Sequence, residues 1–313
     1  MFISLFVLLG LLNYVTSQCR FDGLAYDATY PSCDTSRIRN DIDFLSGFTS
    51  TLRIFGISEC SQGQVVMRTI GKKAMDLYIT VDLSGGETGF NLELQSLVGL
   101  INGTSRNKNR IKGVLLGDGQ ITKAAGNVTL EIEAMATRIQ QTKQAISQNG
   151  QTILVSAPES IRAYRENTNL VGLVDFIYIS ELLTQDSEGI STPPTPTVPR
   201  HRRNTGPSAD TEMSLKADAI IKEITDLMPT FGGKMVVLES GRATSGNTAA
   251  DIGFNHLNTL TFVTALECKL QSLNITFIGY QAFDTGSTSN TTFGIFKSNQ
   301  RSDGAISQNL FCC

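Results

Sequence analysis

A (β/α)8 barrel, the TIM-barrel class of α/β fold, is what this sequence predicts. Short β-branched runs alternate with longer amphipathic stretches, eight such runs can be counted, and the length suits one large barrel better than two ordinary domains. The expected strands are Gly23 to Tyr26, Thr51 to Phe55, Leu77 to Val81, Lys112 to Leu116, Thr152 to Ser156, Val174 to Ile179, Lys234 to Leu238 and Ile275 to Tyr280. Helical patterns fill the intervals, for example at Arg37 to Leu45, Leu92 to Ile101, Leu130 to Gln148, Ser214 to Met228 and Asn258 to Leu273. A doubly wound open sheet uses the same alternation, and the count of eight strands in this length favours the closed form. A barrel gathers its site at the carboxyl ends of the strands.

The chain opens with an apolar run, Leu5 to Leu12, followed by small and polar residues through Val15-Thr16-Ser17. This reads as a secretory signal, residues 1–17, removed before Gln18, although no Lys or Arg stands ahead of the run. The run is shorter than the ~20 apolar residues of a membrane span. The mature chain, 18–313, is therefore expected to be a single extracellular or cell-wall barrel, free of the membrane and monomeric. All six cysteines (Cys19, Cys33, Cys60, Cys268, Cys312 and Cys313) lie in it, an even count without CxxC spacing that favours disulfides over metal. Sequons at Asn102, Asn127 and Asn290 fit surface loops of an exported protein, whereas a fourth, at Asn274, opens an apolar strand and fits less well.

A formal charge of −3 without a basic face argues against nucleic-acid binding. No cofactor or metal is expected: Gly85-Gly86 and Gly232-Gly233 lack the strand and helix context of a phosphate loop, and the two histidines, His201 and His256, are far apart. One segment, 184–212, breaks the alternation with Pro, Thr, Ser and charge, as in Ser191-Thr-Pro-Pro-Thr-Pro-Thr-Val-Pro199, and is expected to be an extended loop. Within it Arg200, Arg202 and Arg203 have the spacing that secretory processing proteases recognise, in a setting open to cleavage.

Two expected strands run into polar ends, Gly117-Asp118-Gly119 and Glu239-Ser240-Gly241. Retaining hydrolysis of a glycosidic bond needs two carboxyls roughly 5 Å apart, a nucleophile and a proton donor, and on a barrel these come from different strand ends. Glu239, directly after the apolar Met235-Val-Val-Leu238, is costly to place unless paired or used. Asp118 is the only acid at the other end.

The chain resembles glycoside hydrolase family 17, the β-1,3-glucanases and glucan-modifying cell-wall proteins. The resemblance runs through Leu24-Ala-Tyr26, Thr51-Leu-Arg-Ile-Phe-Gly-Ile-Ser-Glu-Cys60, Ile111-Lys-Gly-Val-Leu-Leu-Gly117, Val155-Ser-Ala-Pro-Glu-Ser160, Val174-Asp-Phe176, Val236-Val-Leu-Glu-Ser-Gly241, Gln281-Ala-Phe-Asp284 and Thr292-Phe-Gly-Ile-Phe296. It implies Glu239 as nucleophile, within the family's Glu-Ser/Thr-Gly-Trp-Pro motif. It implies β-glucan as partner, and Tyr26, Phe55, Ser180, Gln281 and Phe283 as residues against the sugar.

The departures cluster at the site. Gly119 stands where the family has its acid, with Asp118 one residue earlier and one methylene shorter. Arg242-Ala243 replaces Trp-Pro, the chain holds no Trp, Phe55 replaces a Tyr, and Gln281 replaces a Glu. The expectation is a secreted glucanase-like barrel that binds or acts on β-1,3-glucan with weak or absent hydrolysis. The alternatives are an active endo-glucanase or glucanosyltransferase using Asp118 (or Glu159 or Glu181) as acid, and a non-catalytic surface or effector protein on the same fold.

Overall fold

A computed structural model describes residues 20–103, 107–124, 127–183, 209–244, 256–284 and 293–296. The strands are β1 (Gly23–Tyr26), β2 (Thr51–Phe55), β3 (Asp76–Val81), β4 (Ile111–Leu116), β5 (Val155–Ser156), β6 (Pro158–Glu159), β7 (Ile177–Leu183), β8 (Val236–Arg242) and β9 (Thr276–Gly279). Every pairing among them is parallel, in the order β5-β4-β3-β2-β1-β9-β8-β7-β6. Only Ala157 separates β5 from β6, so the two are halves of one stave, interrupted beside Pro158, whose nitrogen cannot donate to a ladder. The two ends of the sheet order meet there. The result is a (β/α)8 barrel of eight staves.

The helices are α1 (Thr35–Leu45), α2 (Gln62–Lys73), α3 (Gly86–Gly103), α4 (Val128–Gln148), α5 (Ile161–Glu166), α6 (Asn169–Leu173), α7 (Ala209–Leu227) and α8 (His256–Gln271). Local capping fixes several starts. Asp34 accepts from Ser36 N at 2.8 Å, Asn127 from Thr129 N and Leu130 N, and Ser160 from Ala163 N. Asn127, read from the sequence as a sequon, is thus also a helix cap on the surface. Asn102 and Asn274 are exposed as well.

Side chains alternate along each stave, and the alternation makes two cores. Inward-facing Ala25, Tyr78, Leu115, Phe176, Tyr178, Val237 and Ile278 fill the barrel. Outward-facing Leu24, Leu52, Ile54, Leu77, Ile79, Val114 and Leu238 pack beneath the helices. The interior is plugged by aromatic rings, with Tyr78 5.9 Å from Phe176 and 6.0 Å from Tyr178, so solvent does not pass through.

Strand boundaries differ from the sequence expectation by one residue at β3, β4 and β9, by three at the start of β5, and most instructively at β7 and β8. β7 and β8 begin later than Val174 and Lys234 and run further, because the ladder continues through their polar ends: Ser180 pairs Glu239, Glu181 pairs Ser240, and Leu183 pairs Arg242. Asp175 stays outside β7, its carboxylate taking Val155 N at 2.9 Å and Lys143 Nζ at 2.6 Å. A disulfide, Cys33–Cys60, ties the loop after β1 to the loop after β2, and Cys268 is disulfide-bonded too. No helix among the described residues is long and apolar enough to cross a membrane. Residues 1–17, Asn290, Cys312-Cys313 and the arginines at 200, 202 and 203 lie outside the described residues.

Candidate active site

Above the aromatic plug, at the carboxyl ends of the staves, the inward positions turn polar. Arg53, in the middle of β2, is fully buried, and its guanidinium donates in three directions: Nη1 to Glu239 Oε1 at 2.5 Å, Nη2 to Asp118 Oδ1 at 3.1 Å, and Nε to Thr80 Oγ1 at 3.1 Å. Tyr178, from β7, donates its hydroxyl to the other Glu239 oxygen. Phe55 covers the guanidinium, its ring centroid 3.9 Å from Arg53 Cζ, and Tyr280 meets Phe55 edge-on at 5.9 Å. Both oxygens of Glu239 are therefore engaged, and the residue is fully buried.

One cation serves two carboxylates, and their surroundings separate them. Glu239 is pushed up to about 7, chiefly by burial; Arg53 and Tyr178 pull it down, and the charge on Asp118 adds to the rise. Asp118 is less enclosed. Burial raises it too, but Arg53 together with Lys123, whose Nζ stands 3.5 Å from Oδ2, outweighs this and holds Asp118 below its usual range. A carboxyl held ionised by two cations has no proton to give at neutral pH.

Glu159 and Glu181, the other acids considered from sequence, do not face Glu239. Both pair with outward positions, Glu159 with Ile179 and Glu181 with Ser240. Glu159 is fully buried under the loop after β4, where its carboxylate accepts from Ile121 N at 2.8 Å, Thr122 N at 2.8 Å and Thr122 Oγ1 at 2.7 Å. Glu181 accepts from Ile161 N at 3.3 Å. Glu159 is thus a fastener for the segment that carries Asp118. Glu159→Ala removes the acceptor of three donors: the buried Ile121 N is left unmet at about 1–3 kcal/mol, while the exposed Thr122 groups can turn to water at less cost. The expected result is a stability loss of roughly 2–4 kcal/mol in chemical denaturation, with faster amide exchange at Ile121 and Thr122.

The aromatic residues expected against sugar divide by the same parity. Ala25 points inward, so Tyr26 points outward, where its hydroxyl donates to Asp41 Oδ2 at 2.8 Å under α1. Phe283 packs with Phe44, Tyr26 and Phe296 in that outer layer. Both side chains are buried in the outer core. Phe55 and Ser180 are at the mouth and half-buried; Gln281 is buried beside it, with its backbone bonded to Phe293 and Ile295. Arg53, Thr80 and Tyr178 were not singled out from sequence. A lone arginine inside an apolar strand signals a buried charge that needs a partner.

The loop after β4 has a backbone reason for its glycines. Gly117 and Gly119 both have φ of +68, in the left-handed region that side chains rarely adopt, and a Cβ on Gly117 would lie 2.6 Å from Gln120 Cγ. Gly119 N also donates to Pro158 O at 2.8 Å. At Gly119 any side chain would be strained by this conformation. No group of three or more His, Cys, Asp or Glu among the described residues is arranged to hold a metal.

The fold matches glycosidase barrels along nearly its whole length. A glycoside hydrolase family 17 β-1,3-glucanosyltransferase from Rhizomucor miehei superposes with a TM-score of 0.66 at 20% identity, over 93% of this chain and 98% of that one. The barrel is family-17-like. An active-site mutant of that transferase was solved with laminaritriose. An endo-laminarinase from Formosa superposes at a TM-score of 0.70 with 12% identity, covering 88% of this chain and 83% of that one. A β-1,3-glucanase and allergen of Cryptomeria japonica pollen gives 0.57 at 13% identity, covering 90% and 96%. No protein-family model matches the sequence, and no curated protein matches it. What these structures share with the family-17-like barrel is the fold.

Proposed function

We propose that this protein is a secreted, glucan-directed barrel, residues 18–313 after loss of a signal at 1–17, that binds β-1,3-glucan in the cell wall and hydrolyses it weakly or not at all. Glu239 is its nucleophile, and it has no proton donor. The observation that carries the reading is the Arg53 bridge. The same guanidinium that grips Glu239 fixes Asp118 as an anion, so the only acid near the nucleophile on the β4 side is in the wrong state to protonate a leaving oxygen. Asp118 as acid, the reading that would make this an active glucanase, is disfavoured for that reason. The choice of glucan is supported by the β-1,3-glucanosyltransferase, endo-laminarinase and β-1,3-glucanase among the neighbouring structures, each matched over most of its own length, whereas the β-glucuronidases that share the fold are matched over less than half of theirs.

Losing general acid catalysis costs on the order of 10²- to 10⁴-fold, and only where the leaving group needs a proton. An aryl β-glucoside with an acidic phenol needs none: Glu239 forms a bond to the anomeric carbon and the phenolate departs with its electron pair. Azide, which attacks without base assistance, then takes the glucosyl group and restores the carboxylate. The expected result is slow release of the activated phenol, faster with azide, with β-glucosyl azide as product, and no release in Glu239→Ala. Rapid laminarin hydrolysis unchanged in Asp118→Asn would overturn the missing-acid reading.

A further inference from the structure

The sequon at Asn274 is the one that the sequence alone makes least suitable, since Ile275-Thr-Phe-Ile278 after it reads as an apolar strand. The fold removes that objection. β9 begins only at Thr276, and Asn274 stands in the turn that ends α8. There the helix closes with a Schellman cap: Asn274 N donates to Gln271 O and Ile275 N to Leu270 O, both at 3.2 Å. Asn274 takes the left-handed position at φ +55 and is exposed, while Ile275 beside it is buried in the core with Leu270. The amide is outside and its apolar neighbour inside.

Three sequon asparagines lie among the described residues, and their side chains are used differently. Asn102 Nδ2 donates to Asn149 Oδ1 at 2.8 Å, and Asn127 Oδ1 caps α4. No hydrogen bond of the Asn274 side chain, or of the Thr276 hydroxyl, is found among the described residues. The cap accounts for an asparagine at 274, one of the few residues that accept a left-handed φ, but it asks nothing of position 276. A threonine two residues on is what an oligosaccharide acceptor adds. The place is also open. Ile278 pairs with Glu239, so Asn274 lies four residues toward the amino end of the barrel, about 13 Å along the stave at ~3.3 Å per residue. A bulky group there leaves the mouth free.

We propose that Asn274 carries an N-linked oligosaccharide, taken in the secretory pathway from a lipid diphosphate donor. Asn274 Nδ2 bonds to the anomeric carbon of the first sugar, the bond from that carbon to the diphosphate oxygen breaks, and the lipid diphosphate leaves with the electron pair. The proton lost from Nδ2 passes to a base of the transferring enzyme. This rests on the secretion reading above, which supplies the compartment.

The test is to express the full chain, residues 1–17 included, in a eukaryotic secretory host and to treat its peptides with peptide N-glycosidase in water labelled with heavy oxygen. Each asparagine that carried a glycan becomes a labelled aspartate, which mass spectrometry locates. The expected result is label at 274, and in Asn274→Gly its loss together with one glycan's mass from the intact protein. Glycine suits φ +55, so that variant keeps the cap, and a melting temperature within a few degrees of wild type certifies the fold. Thr276→Val keeps Asn274 and removes only the hydroxyl; it should lose the label as well, which a capping role alone would not cause. An unlabelled 274 in secreted protein that starts at Gln18, or label that persists in Thr276→Val, overturns the assignment and leaves the secretion reading standing. Wild type retained in the cells with residues 1–17 attached overturns both.

Discussion

Replacing Arg53 with methionine is expected to lower stability by about 3–5 kcal/mol at pH 8, the cost of leaving a buried charge without its partner. The side chain is fully buried and bonded to Glu239, Asp118 and Thr80. Methionine keeps most of the volume and its contact with Phe55 while removing all three donors. Glu239 would then retain one donor, Tyr178. Because burial already lifts Glu239 to about 7 with Arg53 present, loss of the cation lifts it further, and the folded variant holds its proton across a wider range. The unfolded glutamate ionises near 4.5, so between that pH and the raised folded value the unfolded state gains charge that the folded state cannot. Wild type, with Glu239 at about 7, bears the same penalty up to that pH, so the part of the deficit due to this carboxyl opens above about pH 7 and grows toward the variant's higher folded value. Chemical denaturation at pH 5 and pH 8 reads this directly. Arg53→Met/Glu239→Gln should recover most of the loss at pH 8, since no buried charge remains to neutralise. Equal stability of Arg53→Met and wild type at pH 8 would show that the bridge contributes nothing.

Much of the barrel was legible because alternation of strands and helices is a local signal, and all eight staves lie at or near their expected places. What a single strand does not encode is its phase. Parallel staves are buried on both faces, so Leu24-Ala-Tyr26 reads as apolar throughout and gives no sign that Ala25, not Tyr26, faces the interior. Tyr26, turned outward by that phase, packs beneath α1 and away from the cleft. Glu159 and Glu181 fall outside it for the same reason. Polarity does not mark the end of a strand here: Ser180-Glu181 and Glu239-Ser240 remain in the ladder, which is what brings Glu239 inward one step above Val237. Arg53 could have been found, since a cation flanked by Leu52 and Ile54 must be answered by an acid elsewhere. Its two answering acids, distant in sequence, required the closed barrel to be seen.

The reactivity of Glu239 toward an activated glucoside is expected to climb about tenfold per pH unit up to roughly pH 7 and then level off. Only the ionised carboxylate attacks, and Glu239 is lifted to about 7, first by burial and further by the charge on Asp118. At pH 5 about one molecule in a hundred carries the anion, so the rate should be about 100-fold below its plateau. Asp118 does not modulate this limb, because Arg53 and Lys123 keep it ionised throughout. Above pH 7 nothing remains to be deprotonated that the reaction needs, since the phenolate leaves unassisted. A retaining enzyme with a working acid behaves otherwise with a poor leaving group: its rate falls on the alkaline side as that acid loses its proton, giving a bell. The plateau and the bell are separable in one pH series, run with an aryl glucoside of acidic phenol and one of weakly acidic phenol. A bell with the second substrate would reveal a proton donor at the mouth and remove the reason for regarding this barrel as a binder of glucan more than a cutter of it.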